Sequence, residues 1–482
     1  RAARVDKCNN LLRGEWIGGG AFVPNINPSN TNETIGEYAQ AEPEQVTAAI
    51  GAAAAVFPRW SRDGIQARAD ALDAIGSEIL ARKEELGRLL AREEGKPLPE
   101  SIGEATRAGH IFKYFSGETV RQVGDRLASV RPGVEIDITR EPLGIIGIIT
   151  PWNFPIAIPA WKIAPALAFG NCVVFKPANL VPGCAWALAE IIHRHLPSGV
   201  FNLVMGTGSI VGSSLLEDRR INGVSFTGSV STGSLIAAAC SQRGAKFQLE
   251  MGGKNPLVIL NDADLETAVN CAINGAYFST GQRCTASSRL IVEAGIHDEF
   301  VEALITRINS LRVDDPLKPE TDIGPVVDQS QLDQDLDYVR IGREEGAELL
   351  CGGEMIERDN PGFYLSPALF AQTHNDMRIN REEIFGPVAS VIKTSGFDEA
   401  LSIANDTEFG LSAGICTKSL RAASLFKRDI QAGMVMVNLP TAGVDYHVPF
   451  GGMKGSSFGS REQGSYANEF YTTVKTAYCL PQ

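Results

Sequence analysis

Three residues of this sequence have the types that covalent carbonyl chemistry needs. Cys284 lies in Ser279-Thr280-Gly281-Gln282-Arg283-Cys284-Thr285, after a helical stretch and beside a cation, Arg283. Such surroundings expose a thiol and favour its thiolate, the form that attacks carbon. A cysteine is equally at home as a small buried hydrophobe, the reading adopted for the other eight cysteines. Glu250 ends an apolar run and precedes a glycine pair in Leu249-Glu250-Met251-Gly252-Gly253-Lys254. A carboxyl group with an apolar approach has a raised pKa and can serve as a general base; a solvated strand-end carboxylate is the plain alternative. Asn153, in Thr150-Pro151-Trp152-Asn153-Phe154-Pro155, follows the apolar run Ile145–Ile149. An amide there can donate to an oxyanion, although Asn between prolines also serves as an ordinary turn residue.

Two glycine-bearing turns add phosphate-binding potential. Gly206-Thr207-Gly208-Ser209-Ile210-Val211-Gly212 has the spacing G-x-G-x-x-x-G, which is not the dinucleotide fingerprint. Phe226-Thr227-Gly228-Ser229 follows another apolar run. Each turn opens a helix, whose free N–H groups can hold a pyrophosphate, and each reads equally well as a glycine-assisted strand-to-helix turn.

The elements that must position these groups follow from periodicity. The first 125 residues read as helices, with Pro43–Phe57, Ala71–Gly95 and Ser101–Gly124 as the segments. Leu127–Arg140 alternates as a half-exposed strand. From Gly144 short apolar runs alternate with helix-length segments, the pattern of parallel strands covered on both faces. A second alternation begins after Gly252 and runs through Tyr338, Leu365–Phe370, Val388–Ile392 and Val435–Asn438. The C-terminal Phe470–Leu480 is β-prone and with Leu127–Arg140 could form a small separate sheet, an edge suited to oligomerisation.

At 482 residues the chain is long for a single core. Its composition, 44% apolar and 21% charged, is that of an ordinary globular protein. A net charge of −13 argues against nucleic acid as a partner. Nine scattered cysteines without a C-x-x-C pair fit a reducing cytoplasm better than a disulfide framework. The six histidines show no ligand spacing, so no metal site is expected. The first ten residues carry no apolar leader core, and a start at Arg1 is compatible with a leader already removed. Ile145–Phe175 holds a single charge, Lys162, but also four prolines. A buried strand–loop–helix is expected there instead of a membrane span.

Taken together, these segments resemble the aldehyde dehydrogenase superfamily over nearly the whole chain. The markers, in order, are Pro151-Trp152-Asn153-Phe154, Phe175-Lys176-Pro177-Ala178, Phe226-Thr227-Gly228-Ser229, Glu250-Met251-Gly252-Gly253-Lys254, Gly281-Gln282-Arg283-Cys284, Glu383-Ile384-Phe385-Gly386-Pro387 and Pro449-Phe450-Gly451-Gly452. The resemblance implies an α/β fold with two Rossmann-like domains and a small β oligomerisation domain. Residues 1–124 and 143–250 would bind NAD(P), residues 251–449 would be catalytic, and 125–142 with 463–482 would be the oligomerisation strands. It further implies Cys284 as nucleophile, Asn153 and the Cys284 N–H as oxyanion donors, and Glu250 as the base for hydrolysis. Trp152, Lys176, Gly228, Ser229, Glu383 and Phe385 match cofactor-binding positions, and the assembly would be a homodimer or homotetramer.

Many NAD-preferring relatives carry Glu where this chain has Asn179. A neutral residue removes repulsion against a 2′-phosphate, so dual use of NAD and NADP is expected. The stretches Trp152–Leu180, Gly281–Cys284 and Asn438–Val444 look most like 2-oxoglutarate semialdehyde dehydrogenases. A carboxylate-bearing aldehyde wants a cation in its tunnel, for which Arg283 is the candidate; an Arg283 that merely anchors its loop is the alternative. Trp161 stands where succinate semialdehyde dehydrogenases often place Arg. Succinate or glutarate semialdehyde, a CoA-acylating enzyme and a non-catalytic homologue are the other readings. The CoA-acylating enzymes generally lack a Glu equivalent to Glu250, and a non-catalytic homologue would be expected to lose the nucleophile or base.

Overall fold

The computed structural model describes residues 6–482; Arg1 to Val5, part of the polar start noted above, lie outside the described residues. Helices begin only at Pro43. Before it run five strands, Lys7–Cys8, Asn10–Leu12, Glu15–Ile17, Ala21–Asn27 and Asn30–Gln40, where the sequence reading expected helix. The longest pair is an antiparallel hairpin turning at Pro28-Ser29. Its Thr- and Asn-rich second strand is held by cross-strand bonding, and few of its residues carry an apolar period that could be read. Ala71–Gly95 is likewise two helices, Ile65–Ala81 and Lys83–Glu94, broken at Arg82. Leu127–Arg140 is two strands, Asp125–Ala128 and Glu135–Pro142, and Tyr338 is helical, within Gln329–Glu344.

Two large sheets carry the architecture. In the first, eight strands lie in the order Ser457–Phe458, Lys246–Glu250, Ile221–Thr227, Ile145–Ile149, Cys172–Lys176, Phe201–Leu203, Asn10–Leu12, Glu15–Ile17. The five central strands are parallel, and those at Ile145–Ile149 and Cys172–Lys176 are buried throughout, as continuous apolar runs require. From Ile145–Ile149 the chain winds first to one side, through Cys172–Lys176, and later returns to the other, at Ile221–Thr227. The strand order therefore reverses between Ile145–Ile149 and Ile221–Thr227. A crevice opens at the carboxyl ends of strands at such a point. Trp152-Asn153 and Gly228-Ser229 leave from these two neighbouring ends.

The second sheet has seven strands, in the order Glu348–Cys351, Ala368–Ala371, Val388–Thr394, Ser287–Glu293, Asn255–Ile259, Ser412–Cys416, Met434–Val437. Only its edge pair, Glu348–Cys351 with Ala368–Ala371, is antiparallel. Met251 to Lys254 carry the chain from the carboxyl end of a first-sheet strand to the amino end of Asn255–Ile259. Asn255 pairs there with Ser287, just beyond Cys284. Glu250 and Cys284 are thus brought to the seam between the two sheets.

A third sheet joins Thr472–Cys479 to Glu135–Pro142 along eight antiparallel pairs, from Thr472↔Pro142 to Cys479↔Glu135. The apolar stretch after Ile145 is a strand, the buried helix Ala157–Ala168 and a second strand. No helix among the described residues is long and apolar enough to cross a membrane.

Candidate active site

The Cys284 loop is built on unusual backbone. After the helix Leu265–Tyr277, Ser279, Thr280 and Gly281 take φ of 54°, 61° and 66°. Such a run costs energy for the two non-glycine residues and persists only where surroundings over-determine it. Thr280 Oγ1 donates to Gly324 O at 3.0 Å, Gln282 Oε1 accepts from Val327 N at 3.0 Å, and Asn255 Nδ2 donates to Cys284 O at 2.8 Å. At Gly281 a Cβ would stand 2.1 Å from Gly386 O, so no other residue fits without movement.

Asn153 is buried, and its Nδ2 donates to Gln282 O at 3.1 Å. Its loop is pinned from below. Lys96 Nζ donates to Asn153 O at 2.9 Å and pairs with Glu104 at 2.6 Å, while Glu104 Oε2 accepts from Ile156 N and Ala157 N. Glu250 is buried at the end of its strand, opposite Ser457 in the antiparallel pairing. Ser457 Oγ donates to Glu250 Oε2 at 2.6 Å, and the buried Oε1 has no partner among the described residues. Burial, and then the charge of Glu462, push this carboxyl well above the ordinary range.

The Cys284 thiol does not follow the expectation drawn from its neighbour. Burial pushes it up to about 12, with the carboxylates of Glu383 and Glu250 adding to the rise. The Arg283 guanidinium spends itself elsewhere, donating to Asn274 O and Oδ1 at 3.2 Å each and facing Glu100 at 3.8 Å. Backbone N–H groups of Cys284 and Thr285 pull the other way, but less strongly.

Cys284 stands where two cavities meet. One, of about 340 Å³, is walled by Trp152, Asn153, Gly228, Ser229, Glu383 and Phe385, and also by Met251 and Gly252, the residues that follow Glu250. It shares Pro151, Trp152, Thr227, Gly228 and Ser229 with a cleft of about 1000 Å³ that runs past Lys176 and Gly208. Ser229 caps the helix Val230–Arg243, accepting from Thr232 N, and both residues line the cleft, so the helix begins at its wall. Lys176 is buried with its ammonium near the cleft wall, and burial lowers it to about 8. Glu383 accepts from Gly253 N at 2.7 Å and is raised by burial to about 7. Phe385 has φ of 64° and meets Trp152 edge-on at 5.4 Å. Asn179 is not brought in: it is exposed, and its neighbour Ala178 lines the cleft.

The other cavity, of about 240 Å³, has Arg107, Phe154, Trp161, Arg283 and Phe450 among its walls and shares only Cys284 with the first. Trp161 is buried against Phe450, ring centres 5.1 Å apart. Three participants escaped the sequence reading. Arg107 sits in Glu104-Ala105-Thr106-Arg107-Ala108-Gly109, where charges among small residues at helical spacing were the one available signal. Ser457 belongs to a two-residue strand. Glu462, buried and paired with Lys162, acts on Glu250 through its charge; neither carries a motif.

Comparison with known proteins gives the family and the fold. The model of the aldehyde dehydrogenase family matches residues 16–477. The alpha-ketoglutaric semialdehyde dehydrogenase of Bacillus subtilis is 44% identical over 477 residues, 98% of this chain and 98% of that one. The alpha-ketoglutarate semialdehyde dehydrogenase of Haloferax volcanii is 41% identical over 482 residues, 98% of this chain and 99% of that one. Among solved structures, a betaine aldehyde dehydrogenase of Staphylococcus aureus in complex with NAD+ is similar with a TM-score of 0.96 at 33% identity, covering 98% of this chain and 95% of that one. With its sequence matched nearly end to end, and a cysteine set between two cavities at the seam of two sheets, the chain belongs to the aldehyde dehydrogenase family.

Proposed function

We propose that the protein oxidises a small carboxylate-bearing aldehyde, 2-oxoglutarate semialdehyde being the best candidate, to the carboxylate with NAD+ as oxidant. The observation that carries this reading is that Cys284 is the one residue common to the two cavities. A group bound on either side then reaches the same sulfur.

The cleft fits a dinucleotide. The helix turn at Ser229 offers N–H groups to a pyrophosphate, Lys176 and the half-satisfied Glu383 suit ribose hydroxyls, and Trp152 with Phe385 forms a flat wall. When bound, the nicotinamide cofactor supplies the acceptor for the hydride that leaves the substrate carbon. NADP+ use stays part of the proposal, since Asn179, exposed beside the cleft-lining Ala178, puts no negative charge at that rim.

Cys284 Sγ attacks the aldehyde carbon, forming the C–S bond. The thiol proton needs an acceptor, and Glu250, with its raised pKa, is a competent one. The second N–H of Asn153 Nδ2 and the Cys284 N–H stabilise the oxyanion. Once the carbon is oxidised, the acyl group rests on Cys284 as a thioester. With the thiol's proton passed on to solvent, the ionised Glu250 removes a proton from water as it adds, the C–S bond breaks, and that proton goes to the departing sulfur to restore the thiol.

The substrate class draws support from the names of the two relatives and from the cavity. At about 240 Å³ it is below the range of drug-sized ligands and suits a small metabolite. A cation in its wall, Arg107, with no carboxylate paired to it among the described residues, favours an anion and disfavours a quaternary ammonium such as betaine aldehyde. Succinate and glutarate semialdehydes satisfy the same chemistry. The domain roles proposed are cofactor binding for residues 1–124 and 143–250, catalysis for 251–449, and assembly through the strands of 125–142 and 463–482.

Two measurements test the reading. A panel of 2-oxoglutarate, succinate and glutarate semialdehydes, betaine aldehyde and simple alkanals with each cofactor should give the highest kcat/KM for a carboxylate-bearing member. Glu250→Gln should slow hydrolysis more than oxidation, giving a stoichiometric burst of reduced cofactor. Turnover on no aldehyde, with cofactor binding intact, would point to a non-catalytic role.

A further inference from the structure

We infer that Arg107, and not Arg283, is the residue that holds the distal carboxylate of the substrate and so sets its specificity. The inference rests on the oxidation proposed above, and it concerns the opposite end of the aldehyde.

Arg107 lies on the helix Leu98–Thr119, and its side chain reaches the wall of the cavity that ends at Cys284. Its guanidinium sits over the Trp161 ring, 5.3 Å from the centroid. It makes one hydrogen bond among the described residues, Nη2 to Gln463 Oε1 at 3.0 Å. Nε is buried with no partner. No carboxylate among the described residues forms an ion pair with it. Glu104, one helical turn away, is taken by Lys96 and by two backbone N–H groups. Asp445 is exposed and contributes only at a distance.

A half-buried guanidinium whose Nε is shut off from water, with no anion beside it, is costly unless something completes it. Burial accordingly pulls the pKa of Arg107 down. Arg283, on the same cavity, already donates twice to Asn274 and faces Glu100. Of the two cations, Arg107 is the one left with donors to give. Its place over the Trp161 ring anchors the guanidinium at the cavity wall, and a guanidinium fork can meet a carboxylate through two parallel N–H bonds. The ligand class is therefore a short ω-oxo carboxylate, aldehyde at Cys284 and carboxylate at Arg107.

The test compares 5-oxopentanoate with pentanal, which has the same chain length and no charge, in the wild-type enzyme and in Arg107→Met, Arg107→Lys and Arg283→Met. Wild type should prefer 5-oxopentanoate. Arg107→Met should lose roughly 10- to 100-fold in kcat/KM on 5-oxopentanoate, the loss lying in KM, and far less on pentanal. Arg107→Lys should recover part of it, and Arg283→Met should leave the preference in place. A separate measurement needs no variant: glutarate should slow alkylation of Cys284 in wild type, and 1-pentanol at the same concentration should not. Equal losses on both aldehydes, or no protection by glutarate, overturn the assignment. A wild type that discriminates while Arg107→Met keeps the preference overturns Arg107 alone and leaves the substrate class standing. A wild type that does not discriminate overturns both.

Discussion

Ser457 faces Glu250 across the antiparallel pair at the edge of the first sheet, and its hydroxyl donates to the carboxylate at 2.6 Å. This bond works against the burial that raises Glu250. A donor to the ionised form lowers a carboxyl pKa, so removing it must raise that pKa further. Glu250 can take a proton only when ionised, above its pKa. Ser457→Ala should therefore shift the acid limb of kcat upward by about one pH unit. A pH–rate profile in which the limb stays put would show that Ser457 does not tune the base.

The Cys284 thiol, held up to about 12 in the ligand-free protein, should be a slow target for iodoacetamide at neutral pH. The sign is simple: below its pKa the thiolate fraction rises about tenfold per pH unit. The alkylation rate of Cys284, followed by mass spectrometry, should climb from pH 7 to pH 10 without levelling. Levelling only above pH 9 would mean an ordinary thiol, and a plateau already near pH 8 a thiol with a lowered pKa.

Asn153→Ala removes the amide from the wall beside Cys284. Loss of one preformed oxyanion donor lowers kcat by roughly 10²–10³-fold. Cofactor binding, measured by fluorescence titration, should change little. The same titration on Cys284→Ala should read as wild type with no turnover at all.

Gly281→Ala places a methyl against Gly386 O, in a residue at φ of 66°. Strain and overpacking together should destabilise the fold by about 1–3 kcal/mol. Denaturant unfolding measures that loss. Activity should fall further than stability explains, because the same loop carries Cys284 three residues on. A variant with wild-type stability and rate would show that the loop relaxes freely.

Much of the site was legible because its markers are local. Cys284 and Asn153 lie in loops that follow a helix and a strand whose period is plain in the sequence, and Glu250 ends such a strand at the seam between the sheets. The features that eluded the sequence are products of distance. Ser457 is 207 residues from the carboxylate it serves, in a strand of two residues. Arg107 reaches the cavity from a helix with no chemical motif. The thiolate expected at Cys284 failed for a related reason: adjacency along the chain says nothing of where a side chain points, and Arg283 points to Asn274 and Glu100. In the fold, the strands before Pro43 were hidden because the hairpin Ala21–Asn27 and Asn30–Gln40 is held by pairing and carries no readable hydrophobic alternation.

The two chambers that touch at a single sulfur have a kinetic corollary. If aldehyde and dinucleotide sit as proposed, a dead-end analogue of the oxidised acid lodged beside Trp161 should compete with the aldehyde and leave the dinucleotide its own doorway past Ser229. Initial-rate inhibition by such a compound is then competitive against one reactant and not against the other, and two inhibitors, one per chamber, can occupy the enzyme together.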